Sequence, residues 1–341
     1  MKKIWASLHD RFAGVTYLQA LILLVFAFAF ILVGSFADKA ISEKFYAPNN
    51  AFGAIFAYLG PYPGYVLFGS TGVLFYINWI GEKQKDGKIL AIVCAVIFPI
   101  LAGALYGYEC ISDAITNRYL AAFVGVLLVG AGEVGMYFLC RHADKDAAYK
   151  AGLTFLFAGA TVLVLLYLLK KAGLRPRPYW VMANSASTDY FRNWWDFDAS
   201  VKEAFPDAAS DAFESWPSAH AGLSGMTVLG VLLCTLNPKL KNKESQFLIG
   251  SALFTFIVAI ARVSDGHHYV SDVAFGAFFG VLFSFLVAYL VYLPAPEEEE
   301  FDEEAASLSR SEKPLSLAGK RFVLRQPHNA KSTHKPTKRV L

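Results

Sequence analysis

Apolar runs of roughly twenty residues recur along the whole chain, each cut off by a short polar segment. Runs of that length match the hydrocarbon thickness of a bilayer and read as membrane-spanning helices. They fall near 15–36, 64–80, 89–107, 119–140, 151–169, 219–236, 246–261 and 272–293, which makes eight. The first follows Lys2, Lys3 and Arg11 as a secretory signal would. Its apolar stretch exceeds the usual ~7–15 residues and further spans follow, so an uncleaved first helix is expected. The stretch FGAIFAYLGPYPG, broken by Pro61 and Pro63, reads as an interfacial segment before the second span. The expected fold class is all-α, a polytopic membrane helix bundle.

Composition agrees with this pattern and excludes a soluble enzyme. Over 341 residues, 55% are hydrophobic and only 17% carry charge, where a soluble chain has about 25% charged residues. Of the four cysteines, Cys94, Cys140 and Cys234 fall inside apolar runs and Cys110 lies in a connecting loop. They form neither a disulfide framework nor a zinc-ligand spacing.

The charges set orientation. Lys83, Lys85 and Lys88 follow the second span; Arg141, Lys145 and Lys150 the fourth; Lys239, Lys241 and Lys243 the sixth. The intervening short loops are poorer in basic residues. Basic loops stay in the cytoplasm, so both termini are expected inside and the 170–218 and 262–271 loops outside. This pattern, with no disulfides, suits a bacterial inner membrane. Residues 294–341 carry too few apolar side chains to pack and are expected to be a disordered cytoplasmic tail. Lys320, Arg321 and Arg325 in it would either face solvent or touch anionic lipid. Nothing in the sequence points to a nucleic-acid partner, and oligomeric state is not legible.

Three segments on the outer side collect residues that are costly at a membrane. KKAGLRPRPYW begins at Lys170, WPSAHAG leads into the sixth span, and RVSDGHHYVSD joins the seventh to the eighth. Together they offer Lys170, Arg175, Arg177 and Arg262 as cations, Ser218 as a donor, and His220 and His268 as proton carriers or nucleophiles. Cations with histidines and no cysteine cluster point to phosphoryl chemistry. Pro217 suits a first helical turn and Ser218 a cap, which would turn backbone N–H groups toward an anion. His268 and Asp272 are four apart; on a helix they share a face, and the carboxylate would hold the imidazole.

These residues resemble the type 2 phosphatidic acid phosphatase (PAP2) family, whose signature is K-x6-R-P, P-S-G-H and S-R-x5-H-x3-D. Lys170 leads to Arg177-Pro178 at the right spacing; Pro217-Ser218-Ala219-His220 follows; Arg262 leads to His268 and on to Asp272. Ala219 stands in place of the family glycine and Ala261 in place of the serine before Arg262. Spacing selects Lys170 over Lys171 and His268 over His267. The resemblance implies a six-helix core with two additional helices, N-terminal spans over 1–150 and a catalytic region over 151–293. It implies that Lys170, Arg177, Arg262, Ser218 and the Ala219 N–H hold phosphate. His268, oriented by Asp272, would attack phosphorus, and His220 would protonate the leaving oxygen and then activate water. No cofactor and no metal are implied.

The expected activity is hydrolysis of a membrane lipid phosphate or diphosphate, such as phosphatidic acid or undecaprenyl diphosphate. Transfer to an acceptor other than water would use the same residues. A transporter or scaffold that merely retains the motifs would not need both histidines. Eight spans set the chain apart from the soluble vanadate-binding haloperoxidases that share the motif pattern. Lys171 and Arg175 read as interfacial side chains with their heads in water. His267 reads as structural or pocket-lining, and Glu133 as a proton relay or a neutral bundle residue. DYFRNWWDFD, 189–198, reads as a lid over the site or a membrane-surface loop.

Overall fold

A computed structural model describes residues 11–80, 85–184 and 189–293. Lys2, Lys3, Lys83 and the 294–341 tail, with the disorder expected of it, lie outside the described residues. Among those described, eight helical stretches are long and apolar enough to cross a membrane. The all-α bundle expected from the apolar pattern is the observed architecture.

A two-residue antiparallel ladder, β1 (Arg11–Phe12) with β2 (Val15–Thr16), leads into α1 (Tyr17–Phe45). Thr16 caps α1 by accepting from the Gln19 N–H, and the Gln19 side chain accepts from Thr16 N–H in return. The expected span stopped at 36, but α1 continues nine residues further. Its polar end is not a loop, because Asp38 and Ser42 are buried inside the bundle. Then come α2 (Ala51–Leu59) and α3 (Tyr62–Trp79), divided at Gly60–Pro61, and the hairpin of α4 (Lys85–Glu109) and α5 (Arg118–Cys140). The long α6 (Lys145–Gly173) ends at Leu174, whose left-handed φ of 47° breaks the helix. The short helices α7 (Pro178–Asn184) and α8 (Ser200–Ala204) lie in the long loop.

The sixth span is α9 (Ala219–Gly225), a 3-10 stretch over Met226–Leu232 and α10 (Leu233–Leu236). It is 78% buried, against 17–44% for the other spans, and forms the centre of the bundle. Eighteen residues of pure α-helix would reach about 27 Å. The looser pitch of the 3-10 stretch brings the span to about 30 Å, the thickness of the hydrocarbon core. Finally α11 (Glu244–Ser264) and α12 (Val270–Tyr292) form the last hairpin.

Around α9 stand α6, α11 and α12; α1 packs along α12, α2 against α11, and α3 against α6. The α4–α5 hairpin packs chiefly on α3, to one side of the helices that carry the three polar segments.

Close backbone approach depends on small residues. A Cβ at Gly34 of α1 would lie 2.4 Å from the Ser271 nitrogen, and one at Gly276 of α12 would lie 2.2 Å from the Ser218 carbonyl oxygen. Both contacts are at the end of the bundle that bears the polar segments. Gly276→Ala is therefore expected to force α9 and α12 apart and cost about 1–3 kcal/mol. A lowered melting temperature in detergent checks this, with Gly250→Ala, which meets nothing within 4 Å, as the neutral control.

Candidate active site

The three polar segments meet at one end of the bundle, held by backbone hydrogen bonds among themselves. Ser215 N–H donates to Arg175 O at 3.1 Å, Arg177 N–H to Ala212 O at 2.7 Å, and Ser218 N–H to Asp272 O at 3.0 Å. Tyr179 N–H donates to Gly266 O at 2.8 Å. Pro178 opens α7 without needing a backbone donor, and Gly266, at φ 77°, makes the turn after α11. A Cβ there would also strike the Tyr46 ring at 2.4 Å.

His268 is 1% exposed. Its Nδ1 lies 2.6 Å from the Ser215 carbonyl oxygen, which can only accept, so Nδ1 carries the proton and Nε2 keeps its lone pair. The expectation that Asp272 holds this ring along a shared helix face is corrected here. The helix begins at Val270, so His268 precedes it, and Asp272 Oδ2 stands 3.9 Å from Nδ1. Asp272 instead accepts from Arg175 Nη1 and Ser215 Oγ, each at 2.5 Å, and from Tyr269 N–H at 2.9 Å. It steadies the histidine through its neighbours.

Each expected phosphate cation is held by an oxygen. Lys170 Nζ donates to Glu214 O at 3.0 Å, Arg177 Nη1 lies 3.4 Å from Asp211 Oδ2, and Arg262 Nη1 donates to Asp265 Oδ2 at 2.7 Å. Arg177 also buries an Nε–H with no protein partner. Ser218 caps α9 as expected, accepting from Ala221 N–H at 3.4 Å, but Pro217 precedes the helix instead of lying in its first turn. Ala219 is the first helical residue. His220 Nε2 donates to the Ala57 carbonyl of α2 at 3.1 Å, leaving Nδ1 with the lone pair. His267 sits at the rim, with Nδ1 3.0 Å from Asp265 Oδ1 and its ring against Tyr179.

Arg175 overturns the interfacial reading. It is 1% exposed and lies between two buried carboxylates: Nη1 meets Asp272, and Nη2 meets Asp38 of α1 at 2.9 Å. Nη1 also donates to Ser271 Oγ at 2.9 Å, Nε donates to Arg192 O at 2.8 Å, and the guanidinium lies 4.1 Å from the Tyr269 ring centre. Asp38 accepts from both the Ser271 N–H, at 2.9 Å, and the Ser271 hydroxyl. Lys171 does behave as expected, half-exposed and paired with Glu214.

The 189–198 run covers this buried network. Phe191 packs edge-on to Tyr269, and Trp194 Nε1 donates to Ser35 of α1 at 2.8 Å. Glu133 is buried, and neither carboxyl oxygen has a hydrogen-bond partner. Cys94, Cys140 and Cys234 form no disulfide among the described residues. Among the described residues no group of three or more His, Cys, Asp or Glu is placed to hold a metal ion.

Asp38, Ser215 and Ser271 had no place in the motif reading. Asp38, a charge near the end of an apolar run, carried a signal; Ser215 and Ser271 carried none.

Residues 150–294 match the family model described as the PAP2 superfamily. A protein of Schizosaccharomyces pombe, named probable diacylglycerol pyrophosphate phosphatase 1, is 27% identical over 197 residues. The match covers 52% of this chain and 66% of that protein, just under two thirds of its length. No solved structure matches. The PAP2 segment holds all three polar segments, whereas Asp38 and Ala57, which reach the same site, lie outside it.

Burial, followed by the charges of Lys170, Arg177 and Arg262, holds the His268 ring well below the ordinary histidine pKa of 6.5. A lowered pKa means the neutral ring persists as pH falls through 6.5. In the ligand-free protein, ¹⁵N spectra of labelled histidine, assigned with His268→Gln, should show Nε2 still unprotonated at pH 6.

Proposed function

We propose that the protein is an integral membrane phosphatase that hydrolyses a lipid phosphate or diphosphate through a phosphohistidine at the extracytoplasmic face. The observation that carries this reading is the free Nε2 of His268, fixed by the Ser215 carbonyl beside Lys170, Arg177 and Arg262. A neutral, oriented imidazole among fixed cations is suited to attack a phosphate whose negative charge those cations offset.

In the first step His268 Nε2 bonds to phosphorus as the bond to the leaving oxygen breaks. Lys170, Arg177 and Arg262 hold the phosphoryl oxygens, with Ser218 and the Ala219 N–H beside them. His220 keeps its Nε2–H on Ala57, takes a proton on Nδ1 as the anionic substrate binds, and passes that proton to the leaving oxygen. In the second step Nδ1 takes a proton from water, whose oxygen attacks phosphorus and breaks the N–P bond. Inorganic phosphate and neutral His268 result. No metal enters either step.

An apolar cavity supports a lipid substrate. It has a volume of about 380 Å³ and runs between α1, α11 and α12, past Phe30, Ala259 and Ala274. Val263 and Val270 line it and flank the segment that carries His268. A headgroup at the histidine leaves an acyl or isoprenoid tail room between the helices. The name of the fission yeast relative is consistent with a lipid diphosphate. Orientation rests on the basic loops after the second, fourth and sixth spans, which alternation puts opposite the site.

Phosphate release by purified protein from a panel of lipid phosphates and diphosphates, with chelator present, tests the reading. Inorganic phosphate is expected, together with acid-labile, base-stable label on the protein during turnover. His268→Ala should lower release at least about a thousandfold, and His220→Ala about 10²–10⁴-fold. Undiminished release by His268→Ala sinks the mechanism; a phosphorylated acceptor in place of free phosphate makes the protein a transferase.

The groove has its own test. Ala259→Phe is expected to raise KM for a long-chain lipid phosphate at least about threefold, leaving hydrolysis of a soluble short-chain phosphate within about twofold.

A further inference from the structure

We infer that Asp38 and Arg175 form a positioning brace, through which the first membrane helix sets the place and charge of the reacting histidine. The inference rests on the phosphatase reading for its kinetic consequences, while its geometry stands apart from it.

A continuous chain of buried contacts runs from α1 to His268. Asp38, 3% exposed, accepts from Arg175 Nη2 at 2.9 Å and from Ser271 at the start of α12. Arg175 passes Nη1 to Asp272. The other oxygen of Asp272 binds Ser215 Oγ and Tyr269 N–H. Ser215 supplies the carbonyl that receives His268 Nδ1, and Tyr269 is the next residue in the chain after His268. Both supports of the ring are thereby tied to one carboxylate, and that carboxylate to one guanidinium.

The brace also governs charge. Two buried carboxylates share a single cation, so Arg175 cannot be spared for phosphate. With Arg175 in place Asp272 is neutralised and stands 3.9 Å from the ring, and the backbone carbonyl keeps the Nδ1 proton. Charge on either member reaches His268 in the low-dielectric interior. The other charged or titratable groups around that ring are Lys170 in the last turn of α6, Arg177 after it, His220 of α9, Arg262 of α11, and Asp265 and His267 of the turn. None of them links α1 to the site. The 189–198 run completes the brace by placing the Arg192 carbonyl on Arg175 Nε.

Asp38→Asn, Arg175→Lys and Arg175→Gln in the full chain test this, with kcat, KM, the ¹⁵N titration of His268 and the melting temperature read for each. Asp38→Asn is expected to lower kcat about tenfold or more with KM within about threefold, and to move the His268 titration to lower pH. Arg175→Gln should move it the opposite way, to higher pH, and Arg175→Lys should keep both the wild-type titration and more activity than Arg175→Gln. A merely structural role gives no such opposed shifts. If Arg175→Gln is not recovered folded, Asp38→Asn and Arg175→Lys decide. An Asp38→Asn protein with wild-type kcat and titration overturns the brace. So does activity lost in proportion to folded protein with the titration unmoved. The titration needs no substrate, so absence of phosphate release from the wild-type protein counts against the phosphatase reading and leaves the brace to be judged by the shifts alone.

Discussion

The buried carboxylate of Asp272 is the constraint on which the site end of the bundle depends. An ionised carboxylate without water is tolerated only when paired and hydrogen-bonded. Asp272 meets that condition with donors from three separated parts of the chain: Arg175 after α6, Ser215 before α9, and Tyr269 at the start of its own helix. The three polar segments are thus drawn together by one group's need for partners. Removing one member of such a pair costs about 3–5 kcal/mol, because the other is left buried and uncompensated.

The same argument explains how a cationic pocket is kept at a membrane. Lys170, Arg177 and Arg262 would repel one another if nothing lay among them. Their oxygen partners come from two short stretches, Asp211 and Glu214 in one and Asp265 in the other. The pocket is therefore poised and not bare, with cations already oriented and the neutral His268 ring in their midst. In the proposed reaction such preorganisation would serve electrostatic stabilisation of a phosphoryl transition state. The groove along α1, α11 and α12 places an apolar path beside that polar end.

Much of this was legible in the residue pattern. The eight spans follow from apolar run length, and the gathering of the three segments at one end follows from their alternate positions along those spans. The reading failed where a residue's role depends on a distant partner. Arg175 looked like an interfacial cation because its neighbours in sequence are polar and proline-rich. Its actual partners, Asp38 and Asp272, lie 137 and 97 positions away. His268 and Asp272 were placed on one helix face by their spacing; the helix starts two residues after the histidine, and the carboxylate stands 3.9 Å from Nδ1 without the shared face. Likewise α1 was ended at its first polar residues, although two of them, Asp38 and Ser42, are buried.

The sequence by itself determined the all-α membrane class, the eight spans found among the described residues and which polar segments meet at one end of the bundle. These depend on local properties, namely hydrophobic length and motif spacing. Only the tertiary structure decided which carboxylate neutralises Arg175, which oxygen receives the His268 proton, and that the first helix reaches the site through Asp38. It also decided that α4 and α5 stand to one side. A buried charge is indifferent to where in the chain its partner arises, so long as the fold delivers it within about 3 Å.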